Sequence, residues 1–68
     1  MWTIKEILEH YRKITSMSVD ELAEVIGLSR NALYVRYRQP GQWRLCELTN
    51  AYDFLKVPRE ERKYEESI

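Results

Sequence analysis

The sequence predicts an all-α fold, a compact bundle of four or five short helices. Three observations predict it. Apolar residues recur at three- and four-residue steps in several separate stretches, no stretch alternates as a strand would, and Ser, Thr, Gly and Pro stand where helices begin and end. At 68 residues the chain reads as one small domain spanning residues 1–68. A chain of this size buries only about 60% of the surface it exposes unfolded, which leaves no room for a large cleft.

In "TIKEILEHYRKI" the residues Ile4, Ile7, Leu8, Tyr11 and Ile14 fall on one helical face, so a first helix is expected from residue 3 to 15. Thr3, followed by Glu6 three residues later, has the pattern of a capping box. "TSMS" breaks the period, and Ser18 with Glu21 gives a second box in front of "VDELAEVI". Asp20 and Glu21 sit in that helix's first turn, where the helix dipole favours negative charge. Gly27 follows Ile26, at the position where a helix commonly ends in a left-handed residue. Ser29 then caps a third helix, "RNALYVRYR", limited by Gln39-Pro40-Gly41. Two helices joined by about three residues with a glycine in the turn form a helix-turn-helix unit. "RLCELTNAYDFLKV" places Leu45, Leu48, Tyr52 and Leu55 on one face, with Ala51 beside them, for a fourth helix. Pro58 ends that run and suits the start of a fifth helix over residues 58–68, or a frayed tail, with Tyr64 and Ile68 as its apolar anchors.

Composition narrows the function. Hydrophobic residues make up 44% and charged residues 32%, the balance of a soluble globular protein. No apolar run nears the ~20 residues of a membrane span, and the charged N-terminus is unlike a signal peptide, so a cytoplasmic protein without a membrane partner is expected. Cys46 is alone and His10 is the single histidine; with no glycine-rich phosphate loop, the reading is no enzyme, no metal, no cofactor and no small-molecule ligand. His10 reads as a surface residue and Cys46 as a small apolar filler, while Trp2 and Trp43 read as covers over core edges, Trp43 with the alternative of approaching a DNA backbone.

Eleven bases and eleven acids give zero net charge, which argues against a strongly electrostatic nucleic-acid binder. Their distribution argues otherwise. Residues 18–28 carry Asp20, Glu21 and Glu24 and no base; residues 29–44 carry Arg30, Arg36, Arg38 and Arg44 and no acid.

Residues 19–38, "VDELAEVIGLSRNALYVRYR", resemble the helix-turn-helix of the phage Cro and repressor family, also called the Xre-type or lambda-repressor-like family. Leu22, Ala23, Ile26, Gly27, Leu28 and Leu33 each stand where that pattern has the same residue type, and "QPGQWRLCELTNAYDFLKVP" resembles the element that follows. The resemblance covers about residues 3–58 and implies a bundle whose second unit helix lies in the DNA major groove. Arg36 departs from it, standing where many members carry a hydrophobic residue, with Tyr37 beside it as the packing residue.

With Leu33 and Tyr37 inward, the outward face is Arg30, Asn31, Tyr34, Val35 and Arg38. Arg30 and Asn31 have the donor geometry for guanine and adenine, Val35 can touch a thymine methyl, and Tyr34 can reach a sugar or phosphate, so these four are the candidate base contacts. Ser18, Ser29, Arg38 and Arg44 are the candidate phosphate contacts. The expected function is a sequence-specific double-stranded-DNA-binding regulator of phage or bacterial type, a small repressor. A module of this size reads one half-site, which points to a palindromic operator and a homodimer, with Tyr64 and Ile68 as a candidate contact. The alternative is the same scaffold used as a protein-interaction module, an antirepressor or an inhibitor of a host factor, and a third reading is a structural fragment of a larger regulator. The blander reading of the outward residues is an ordinary solvated helix surface.

Overall fold

In the computed structural model, which describes residues 2–64, each helix begins where a side chain can take up its first backbone N–H groups. Helix α1 (Ile4–Ile14) opens on Thr3, whose hydroxyl accepts the Glu6 N–H at 3.1 Å while Glu6 accepts the Thr3 N–H at 2.8 Å. Helix α2 (Val19–Ile26) opens on the same reciprocal pair between Ser18 and Glu21, at 3.1 and 2.9 Å. Helix α3 (Arg30–Arg38) opens on Ser29, whose hydroxyl accepts the Ala32 N–H at 3.1 Å. A 3-10 turn at Pro40–Gln42 leads to helix α4 (Leu45–Leu55), where Glu47 accepts the Arg44 N–H at 3.0 Å. Among the described residues there are four α-helices and no strand, so the fold is a small all-α bundle.

The helix ends share one device. The N–H groups of Met17, Leu28 and Val57 reach back to the carbonyls of Arg12, Ala23 and Tyr52 at 3.0, 2.8 and 3.0 Å. In each case the preceding residue is left-handed: Ser16 at φ 58°, Gly27 at 88° and Lys56 at 58°. This is the closure that satisfies the last carbonyls of a helix, and the donor residue then turns its apolar side chain to the core.

That core is built from Ile4, Ile7 and Leu8 of α1, Leu22, Ala23 and Ile26 of α2, Leu33 of α3, and Leu48, Ala51, Tyr52 and Leu55 of α4, with Val57 beyond it. Helix α4 packs on both α1 and α2, and α2 packs on α3. The α2–turn–α3 unit thus rests on the rest of the bundle through α2 and Leu33.

Four expectations need correction. Ile14 is 63% exposed, because α1 outruns the bundle: burial falls from Leu8 through half-buried Tyr11 to the last turn. Leu45 is 68% exposed at the first position of α4, ahead of the packed face that starts with Glu47 and Leu48. Cys46, beside it, is exposed rather than a core filler. Of the expected fifth helix over residues 58–68, the described part, residues 58–64, forms only a 3-10 turn at Arg59–Glu61, after which Arg62 is extended, and residues 65–68 lie outside the described residues. The bundle itself holds that segment out of helix: Tyr52 Oη donates to the Lys63 carbonyl at 2.5 Å, and Arg62 donates to the Val57 carbonyl at 2.9 Å and to Asp53 at 2.8 Å. Tyr64 stacks edge-on against buried Tyr52, ring centres 5.5 Å apart, and Ile68 lies outside the described residues. Among the described residues no helix is long and apolar enough to cross a membrane.

Candidate nucleic-acid interface

Helix α3 has only one fully buried side chain, Leu33, so packing alone would hold it loosely. Polar contacts secure its C-terminal half instead. Tyr37, half-buried against the core, donates its hydroxyl to Glu9 of α1 at 2.9 Å. Arg12 grips the same carboxylate through Nε at 3.0 Å and the second guanidinium nitrogen at 2.7 Å, and gives its remaining nitrogen to the Met17 carbonyl at 2.7 Å. Arg12 holds the Glu9 carboxyl below its ordinary pKa against the effect of burial. Burial, and then the bond to Glu9, pushes the Tyr37 hydroxyl far above its ordinary value. Near neutral pH the phenol therefore stays a donor and the carboxylate an acceptor.

Arg36, whose direction the family pattern leaves open, turns to α4. It forks Glu47, with Nε to one carboxylate oxygen at 3.1 Å and a terminal nitrogen to the other at 3.2 Å. Glu47 is 8% exposed, the single buried charged residue among the described ones. Burial opposes its ionisation, but Arg36 and the Arg44 N–H outweigh it and leave its pKa lowered. Helix α3 is thereby fixed to α1 through Tyr37 and to α4 through Arg36.

What remains outward matches the expected set closely. Arg30, Asn31, Tyr34 and Arg38 are exposed, Val35 is half-buried, and Ser18, Ser29 and Arg44 are exposed at the starts of α2, α3 and α4. Asp20 and Arg30 bring the first turns of α2 and α3 side by side, with Oδ1 and Nε 3.7 Å apart. The guanidinium carbon of Arg30 lies 6.0 Å from the Tyr34 ring centre. Tyr34 in turn meets Tyr37 edge-on at 6.2 Å, and Tyr37 meets Trp43 at 6.4 Å. A row of rings thus runs from the bundle wall to the exposed arginine. Trp43 packs at the core edge with its indole nitrogen enclosed and unpartnered, so that nitrogen does not face a DNA backbone.

The clean segregation of charge along the chain does not survive folding. Asp20 belongs to the acidic stretch yet stands against Arg30, and Glu47 neutralises Arg36. Sequence reasoning misses Glu9, Arg12 and Glu47 as supports of α3. A signal exists for Glu47, since its i+4 and i+8 neighbours are Ala51 and Leu55, and an acid on such an apolar side requires a partner. His10 is exposed, in edge contact with the rings of Trp2 and Tyr11. Among the described residues no three His, Cys, Asp or Glu side chains are grouped to hold a metal ion. Compared with known proteins, the chain matches no family model, no curated protein and no solved structure.

Proposed function

We propose that the chain is a sequence-specific double-stranded-DNA-binding protein that regulates transcription, a small cytoplasmic repressor of phage or bacterial type whose helix α3 reads the major groove. The observation that carries this reading is the exposed face on which the Ser18 and Ser29 caps flank Arg30, Asn31 and Tyr34, on a helix fixed to its bundle from two sides. Helix starts present unpaired N–H groups and a partial positive charge, which suit phosphates. An α-helix fits the major groove, where a bidentate arginine or asparagine contributes about 1–3 kcal/mol of discrimination per base. In this reading Arg30, Asn31, Tyr34 and Val35 meet base edges, and Ser18, Ser29, Arg38 and Arg44 set the register on phosphates. The sequence resemblance to the Cro and repressor family supports the same assignment, with a palindromic operator bound by a homodimer.

The test is titration against random duplex DNA over a salt series. Removing one charged phosphate partner lowers the salt slope by about 1, so Arg38→Ala and Arg44→Ala each reduce it. No binding at about 50 mM salt, either to random duplex or in a selection from a random pool of duplexes, refutes the reading, because binding to DNA is strongest at low salt.

A second reading rests on other surface. Ile14, Leu45 and Phe54 are more than half exposed, and Phe54 lines a groove with Met17, Val25, Glu21 and Glu24. The Phe54 groove fits a protein-interaction module, an antirepressor or an inhibitor of a host factor. Phe54→Ser then abolishes partner binding, whereas on the DNA reading it leaves duplex affinity unchanged.

A further inference from the structure

We propose that Asp20 is a specificity determinant: it aims the Arg30 guanidinium at a single guanine and reduces binding to other DNA. The inference rests on the DNA reading above and deepens it. Asp20 and Arg30 have side chains 69% and 59% exposed, so their ion pair adds little to stability. Its effect is on direction. A guanidinium has two edges that can form paired hydrogen bonds, and Asp20 faces the one that carries Nε, at 3.7 Å. The terminal edge is left to meet the two acceptors of guanine, O6 and N7. Tyr34, one turn further along α3, places its ring 6.0 Å from the guanidinium carbon and limits sideways swing. Tyr34 is itself steadied by the ring of half-buried Tyr37. Arg30 is therefore pre-oriented from a neighbouring helix and from its own.

The carboxylate also acts against wrong partners. A negative charge beside the leading arginine repels phosphates and acceptor-rich base edges when no guanine repays the approach, and specificity is the difference between right and wrong complexes. This gives the acid in the first turn of α2 a second role besides complementing the helix dipole.

The experiment selects bound duplexes from a random pool with the full chain, and measures affinity for random duplex, for wild type, Arg30→Ala, Asp20→Ala and the double variant. All the side chains removed are exposed, so folding persists, as a thermal melt checks. Arg30→Ala erases one guanine preference and so identifies its position. Asp20→Ala lowers the preference at that same position about fivefold, the equivalent of one weakened bidentate contact, and strengthens random-duplex binding. In the Arg30→Ala background, removing Asp20 changes no preference. An Asp20→Ala profile unchanged at that position, or weakened equally at all positions, overturns the inference and leaves the DNA reading standing. Wild-type protein that binds no duplex overturns both.

Discussion

Replacing Arg36 by methionine is expected to be among the most damaging changes to a partly exposed residue of this protein. The substitution keeps the aliphatic stem but leaves Glu47, 8% exposed, with the Arg44 N–H as its remaining partner in the pair's immediate network. Breaking a fully buried ion pair costs about 3–5 kcal/mol. An exposed pair contributes about 0–1. Side-chain exposures of 16% and 10% and a two-bond fork place this pair between those limits, near the buried end, so about 2–3 kcal/mol is expected. A domain of this size has roughly 3–10 kcal/mol in all, and each kcal/mol moves the melting temperature by about 4–8 °C. Arg36→Met should therefore melt about 10–20 °C below wild type.

The decisive measurement is the double-mutant cycle with Glu47→Gln, by urea denaturation. Glutamine still accepts the Arg44 N–H, and it removes the stranded charge. The single variant Glu47→Gln should cost about 1–2 kcal/mol, since the Arg36 head can reach water. The double variant should cost about 2 rather than the sum, a coupling of about 1–3 kcal/mol. At pH well below the usual 4.5 of a glutamate the deficit of Arg36→Met should be smaller than at pH 7, because protonation of Glu47 discharges it. Costs that add within about 0.5 kcal/mol, or an Arg36→Met penalty that is the same at both pH values, would refute the argument that a stranded buried carboxylate causes the loss.

Other outcomes follow from the same structure. The carboxyls of Glu9 and Glu47 have folded pKa values below their usual 4.5, so the stability they contribute is complete above that value and is lost as pH falls through the folded values. Thermal melts should be level from pH 7 to about 5.5 and decline below about 4.5, and Glu9→Gln or Glu47→Gln should each flatten the decline. Lys56 holds φ 58°, so Lys56→Gly should raise stability by up to about 1 kcal/mol in urea melts. Gly27→Ala should lower it by about 1 kcal/mol, through the backbone alone, since no atom lies within 4 Å of the added Cβ. Leu45→Lys and Cys46→Ser should change stability by under about 0.5 kcal/mol, against about 2–5 for Leu48→Ala, a contrast that tests where the α4 face begins.

Local signals carried most of the fold. Thr3 with Glu6, Ser18 with Glu21, and Ser29 form the caps their spacing predicts, because a cap depends on residues three apart in the chain. Gly27 announced its left-handed turn by its residue type; Ser16 and Lys56 make the same turn with no such sign, since there the carbonyl closure and the packing of Met17 and Val57 enforce it. The period placed Leu48, Tyr52 and Leu55 correctly and misplaced Ile14 and Leu45, because periodicity gives a face and says nothing of where along a helix its neighbour ends. The outward placement of the candidate residues was legible, Val35 apart, which is half-buried. Its supports were not: the bonds of Tyr37 to Glu9 and of Arg36 to Glu47 join residues 28 and 11 positions apart, set by how α3 crosses its neighbours.

Those long-range pairs change the electrostatics that the linear charge count suggests. Residues 29–44 carry four arginines and no acid, as if all four were available to a polyanion. Folding commits Arg36 to Glu47 and sets Asp20 against Arg30, so among the described residues Arg38 and Arg44 are the two of that stretch in no ion pair. On the DNA reading, each module then neutralises about two phosphates with full charges, and the N–H groups in the first turns of α2 and α3 that the caps leave over add hydrogen bonds without adding charge. The expected salt slope is about −2 for one module on DNA and about −4 for two on a palindrome. A single module with so shallow an electrostatic term gains little from non-specific attraction. Stable occupancy then requires either two modules on one site or base contacts aimed as well as Asp20 aims Arg30, and the measured slope distinguishes the two: near −4 points to the pair, near −2 with strong guanine selection points to the lone module.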